Sequence, residues 1–174
     1  NVVDEANLKV SNSPTNGYNL VARSGNTGGM TWEEPAGGGK VLQVVTGTSN
    51  TQHSTTSTSF ANTNLSAAIT PSATNSKVLI MITGTGRSND SGGTSIFTLA
   101  KGSTNLVSGD GMARINQPAD NELIAPVAMT LLDSPNTTNA TTYRVQSKTS
   151  NSNNSAIFGE GDTRQTMILM EIGA

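Results

Sequence analysis

Seven carboxylates raise the first chemical question. Asp90, Asp110, Asp120, Glu122, Asp133, Glu160 and Asp162 stand in or beside stretches that read as loops. Two such groups about 5–9 Å apart can serve as acid and base on a glycosidic bond. Enzymes of that kind hold their polymer along a groove with aromatic platforms. Residues 40–174 offer only Phe60, Phe97, Tyr143 and Phe158. Cleavage of a polysaccharide is therefore the lesser alternative, and no catalytic residue is assigned. His53 is the only histidine and lies in the polar run Asn50-Thr51-Gln52-His53. A triad needs a nucleophile and an orienting carboxylate beside it, and the spacing supplies neither. His53 is expected to be a solvated loop residue. The chain has no cysteine, which excludes disulfides, thiol catalysis and cysteine-held zinc or iron–sulfur centres. One histidine excludes a metal site that needs two imidazoles.

The glycine-rich fragments read as turns. Ser108-Gly109-Asp110-Gly111 and Gly159-Glu160-Gly161-Asp162 echo pieces of calcium loops but lack the run of oxygen ligands. Gly37-Gly38-Gly39-Lys40 and Gly84-Thr85-Gly86-Arg87 lack the spacing of a phosphate loop. No metal and no cofactor is expected. Recognition without bond cleavage remains. Three long segments dense in Asn and Ser, 86–93, 108–122 and 147–155, are the candidates. Loops on a rigid scaffold carry binding residues, and short polar side chains suit sugar hydroxyls. The ligand-binding candidates are Arg87, Asn89, Asp90, Asn151, Asn153 and Asn154.

The elements that position these loops are strands. No stretch holds a 3.6-residue apolar period. Pro35-Ala36-Gly37-Gly38-Gly39 cannot sit inside a regular element, so it divides residues 1–39 from a domain over 40–174. Strands are expected at 40–46, 65–70, 77–83, 94–100 with a hairpin return at 106–107, 123–125 and, after Pro126, 127–132, 141–147 and 166–172. Pro126 marks an edge or a bulge. The Ser/Thr run 54–60 suits either disorder or an edge strand. The closing strand puts Ile168, Met170 and Ile172 on one face and Met167, Leu169 and Glu171 on the other. A strand at the chain's end is expected to be tied into the middle of a sheet. Short strands separated by turns read as an all-β, antiparallel β-sandwich.

Residues 1–34 are too few to bury a core. Their apolar residues come in short groups, Leu8 and Val10, Leu20 and Val21, Met30 and Trp32, separated by turn residues. The only tryptophan sits here. Either the arm is loose with Trp32 exposed, or Leu8, Val10, Leu20, Met30 and Trp32 anchor it to further copies or to another protein.

Composition narrows the partners. Formal net charge is −2, from 10 basic and 12 acidic residues scattered along the chain. No basic patch exists to displace counterions from nucleic acid. No apolar run approaches the roughly 20 residues of a membrane-spanning helix. Charged residues make up 13% and aromatics 3% of the chain, while Ser, Thr and Asn fill more than roughly a third of it. The surface is polar without being charged, and the core is thin enough to be completed by partner subunits.

The run Leu8-Lys9-Val10-Ser11-Asn12-Ser13-Pro14-Thr15-Asn16-Gly17-Tyr18-Asn19-Leu20, with Ser24-Gly25-Asn26-Thr27-Gly28-Gly29-Met30-Thr31-Trp32, resembles a linker of bacteriophage fibre proteins frequent in marine phages. Lys40-Val41-Leu42-Gln43-Val44-Val45, Leu131-Leu132-Asp133-Ser134-Pro135-Asn136, Tyr143-Arg144-Val145-Gln146 and Ile168-Leu169-Met170-Glu171-Ile172 resemble the knob of such fibres. Such knobs are similar to the jelly-roll sandwich of the tumour-necrosis-factor and C1q families. The resemblance implies a homotrimeric virion protein on the particle surface, with a jelly-roll-like knob after an extended N-terminal segment. It implies binding of a host-surface polysaccharide by a tail fibre. The alternative is a capsid head fibre or decoration protein held to other virion proteins through residues 1–34.

Overall fold

The computed structural model describes residues 9–35, 40–89, 92–107, 109–117 and 122–173. The chain divides into two compact units, Asn1–Gly39 and Lys40–Ala174. Among the described residues, all regular structure longer than a single 3-10 turn is strand.

In the first unit the expected extended segment is a hairpin. Strand β1 (Asn19–Ala22) pairs antiparallel with β2 (Met30–Glu33). The tight return needs left-handed backbone, which Gly28 (φ 81°) and Gly29 (φ 73°) supply. Asn12 adds a third member to this small sheet. Its side-chain amide donates to the Trp32 carbonyl (2.8 Å), and its Oδ1 accepts from the Trp32 N–H (2.8 Å). An asparagine side chain thus imitates a paired strand.

The second unit has two antiparallel sheets. Its strands are β3 (Val41–Ser49), β4 (His53–Thr55), β5 (Ala61–Ile69), β6 (Lys77–Asn89), β7 (Thr94–Lys101) and β8 (Thr104–Asn105). Then come β9 (Ala113–Asn116), β10 (Leu123–Asp133), β11 (Thr141–Thr149), β12 (Ser155–Phe158) and β13 (Gln165–Ile172). The six-stranded sheet is built on β6. Strand β10 pairs along one side of it. On the other side β13 pairs with Lys77–Thr83 and β12 with Gly86–Asn89. Strand β3 lies outside β13, and β4 outside β12. The five-stranded sheet runs β5-β11-β7-β8, with β9 also on β7.

Alternation decides which side chains go in. From the larger sheet Val78, Ile80, Ile82, Val127, Met129, Met167 and Leu169 point inward. From the smaller come Leu65, Ile69, Phe97, Leu99, Tyr143 and Val145. The rings of Phe97 and Phe158 meet across the gap at 5.7 Å between centroids. This is the arrangement of a β-sandwich. At Gly86 the packing leaves no room for a Cβ, because the side-chain ends of Ile115, Phe97 and Val127 already fill that point.

The terminal strand β13 lies between β3 and β6, inside its sheet. Pro126 sits in β10, whose described pairing is with β6 alone, so its missing N–H breaks no ladder on the open side. Strand β6 runs on to Asn89, past the expected end at 83, because Gly84 and Gly86 lie where the core is closest. The Ser/Thr run is strand only as far as Thr55. Beyond it hydroxyls take the backbone groups a ladder would use: Ser57 N–H donates to Thr55 Oγ1 (3.1 Å), and Ser59 N–H to Ser57 Oγ (3.0 Å). His53 is no solvated loop residue. It lies on β4 opposite Phe158, with a shielded Nε2. Burial pulls its pKa below the usual histidine value.

Two polar clusters fasten the sandwich. Tyr143 is fully buried, and its hydroxyl donates to Asp133 Oδ2 (2.6 Å). Lys101 Nζ reaches the same carboxylate at 2.9 Å. The cluster ties β11 and β7 to the end of β10. Burial and the neighbouring carboxylate push the Tyr143 hydroxyl far above its ordinary pKa. Tyr143→Phe removes one charge-assisted bond while Lys101 still pairs Asp133. It is expected to cost about 1–2 kcal/mol, read as a lower Tm by circular dichroism with the spectrum unchanged. The second cluster surrounds Glu171, fully buried on β13. Its Oε1 accepts from the Ser72 N–H (2.7 Å) and hydroxyl (2.6 Å), and its Oε2 from Gln43 Nε2 (2.6 Å). At the foot of the unit, the Gly173 N–H donates to the Lys40 carbonyl (2.9 Å).

Candidate functional site

The outer face of the six-stranded sheet is apolar where a solvated sheet should be polar. Val44, Met170, Leu79 and Leu132 form one cross-strand row over β3, β13, β6 and β10. Thr46, Ile168, Met81 and Thr130 form the next. Ile172 follows on β13, opposite Val41. The exposure is large: 54% for Val44, 51% for Leu132 and 38% for Met81. No charged side chain stands in either row, and Lys77 lies beyond them opposite Ile172. Cross-strand alternation places these residues together, and their inward neighbours make the core. A contiguous apolar patch of this kind marks an interaction surface.

The outer face of the smaller sheet carries a cleft of about 460 Å3. The 58–60 turn, Ser103, Asn105, Gln146 and Lys148 line it. The turn is held down by the Thr149 N–H, which donates to the Ser57 carbonyl (2.9 Å). Gln146 and Lys148 point the same way from β11, two residues apart. Lys148 Nζ lies 4.6 Å from the Phe60 ring centre and donates to the Gly109 carbonyl (3.1 Å).

The sequence-based candidates are dispersed. Arg87 lies in β6, not in a loop, and is ion-paired to Glu122 (2.9 Å) and Glu160 (3.1 Å). Asp90, Leu8 and the Asn89 side chain lie outside the described residues; the Asn89 backbone ends β6. Asn151 and Asn153 are exposed, and Asn151 Oδ1 accepts from the Asn153 N–H (3.0 Å). Asn154 is buried against Gly93, away from solvent. The proposed anchors of the first unit do share a face. Leu20 stands opposite Trp32, Ala22 opposite Met30, and Val10 bridges to Met30. Leu20 is exposed, and Val10, Met30 and Trp32 are half-buried.

Of the seven carboxylates weighed for hydrolysis, Asp90 and Asp120 lie outside the described residues, Asp162 is exposed, and the other four are engaged elsewhere. Asp133 holds Tyr143 and Lys101, Glu122 and Glu160 hold Arg87, and Asp110 pairs with Arg114 at 3.3 Å. Among the described residues no three of His, Asp and Glu gather as metal ligands would. Sequence reading missed the cleft because its walls lie far apart in the chain. Phe60, closing the Ser/Thr run, was its one local sign. The apolar face had a sign too: β13 carries apolar residues on both faces. No family model and no curated protein sequence matches this chain.

Proposed function

We propose that the chain is a non-enzymatic fibre protein of a phage particle, whose β-sandwich domain assembles as a homotrimer and recognises the host surface. The observation that carries this reading is the open, uncharged apolar face over β3, β13, β6 and β10. Identical copies can meet through such a face around a symmetry axis without bringing like charges together. The strand orders β3-β13-β6-β10 and β5-β11-β7-β9 interleave strands distant in the chain, which supports a jelly-roll reading. The cleft on the opposite sheet remains open to a ligand, and three copies on one axis multiply a weak affinity.

A capsid-decoration role is the second reading, favoured by the shared face of Leu20, Met30 and Trp32 on the hairpin. One experiment separates the two. The purified chain is added to host cells and to capsid shells, each with and without Trp32→Ala. A host-recognition protein binds cells whatever stands at residue 32. A decoration protein binds shells and loses them with Trp32. Binding to neither removes both roles.

A further inference from the structure

The cleft beside Phe60 has a definite chemistry. Its volume, about 460 Å3, falls within the range of small-ligand sites. Its walls are hydroxyl and amide groups from Thr58, Ser59, Ser103, Asn105 and Gln146, with one aromatic ring and one cation. Gln146 is 7% exposed, and its Nε2 donates to Asn62 Oδ1 (2.8 Å). Its Oε1 is buried and has no donor. Shielded in this way, it leaves contact with a ligand to the other polar groups of the wall, Thr58, Ser59, Ser103 and Asn105. Lys148 has no carboxylate partner among the described residues. Its ammonium rests on the Phe60 ring and one carbonyl oxygen, with donor capacity to spare.

We infer that this cleft binds an acidic saccharide unit, a sugar ring bearing a carboxylate. The inference rests on the host-recognition reading and names the ligand class. Lys148 takes the carboxylate as a charge-assisted hydrogen bond. Thr58 and Ser59 face a ring hydroxyl from the turn. Phe60 supplies the apolar wall against the C–H face of the sugar, and Ser103 and Asn105 meet the remaining hydroxyls. A neutral sugar leaves the cation unused, and a phosphate ester leaves the apolar wall unmatched.

The test is calorimetric titration of the full chain with oligomers of galacturonate, of mannuronate and of hyaluronan, each beside its methyl-esterified form. The acidic oligomers are expected to bind at least tenfold more tightly than the esters. Lys148→Met keeps the aliphatic stem over Phe60 and removes the charge. It is expected to erase that preference and to leave the Tm unchanged. The Gln146 side-chain amide resonance is expected to move on binding in the wild type. Equal binding of acid and ester, no binding by any oligomer, or a preference that survives Lys148→Met overturns the inference. Light scattering on the same samples keeps the two readings apart. A trimer without saccharide binding ends the cleft proposal alone, whereas a monomer ends the trimeric-fibre reading.

Discussion

On the proposed trimeric assembly, Met81→Lys is expected to yield a folded monomer of 17.9 kDa where the wild type has three times that mass. Met81 stands near the middle of the apolar face, between Ile168 and Thr130 in register. Its side chain is open to water in the single chain, so a lysine there leaves the core untouched. A surface change of this kind costs within about 0.5 kcal/mol. At a buried contact the same lysine must lose its water, and each copy brings an identical charge to the axis. The assembly then fails while the fold stays. Light scattering reads the mass, and thermal melting reads the fold. Thr104→Lys, exposed on the other sheet, is the control and is expected to remain a trimer. A Met81→Lys protein of wild-type mass would show that this face is not the contact.

Glu171→Leu is expected to destabilise the sandwich by roughly 3–5 kcal/mol by chemical denaturation. Leucine roughly fills the space but leaves the Ser72 N–H and hydroxyl without their acceptor and Gln43 Nε2 with the Thr70 carbonyl alone. Glu171 has no cation partner among the described salt bridges. Burial alone would raise its pKa. The hydrogen bonds from Gln43 and Ser72 outweigh burial and hold it down to about 2, from 4.5. A carboxyl with a depressed folded pKa stabilises the fold fully above its unfolded value. That contribution starts to fall below about pH 4.5 and is gone once the pH has passed through about 2. The acid arm of the wild-type stability curve is expected to flatten in this window in the leucine variant. His53 acts in a different window. Its lowered pKa means that protonation favours the unfolded chain as the pH drops below 6.5. Removing that loss with His53→Gln is expected to lessen the fall in stability that sets in as the pH drops below 6.5. An acid arm that is identical in Glu171→Leu and wild type would contradict the Glu171 account.

These two residues also show where sequence reading stopped. Strand β13 was legible because its residues alternate without interruption. Which of its faces points inward was not, since both are apolar. Charge suggests that the face with Glu171 looks outward. The structure turns it inward, because Ser72 and Gln43 arrive from other parts of the chain to satisfy it. Ile168, Met170 and Ile172 are thereby left on the outside. Strands β9 and β12 escaped notice for another reason. At four residues each they are too short to show a period inside polar loops. Arg87 was read as a loop residue because glycines precede it. Those glycines mark close packing against the core instead. Apart from Phe60 the cleft left no mark in the sequence, since residues near 60, 104 and 147 meet only through strand pairing.

The bond between Gly173 and Lys40 has a mechanical consequence. Strands β3 and β13 run antiparallel, so a tether at residue 40 and another at 173 grip the pair at the same end. Tension between those points opens the ladder like a zip. Each hydrogen-bonded pair from Ile172–Val41 toward Gln165–Ser49 carries the load in turn. A pull from residue 40 against the Gln165 end instead strains the whole ladder in shear, with all pairs resisting together. The same two strands are thus weak along one line of force and strong along the other.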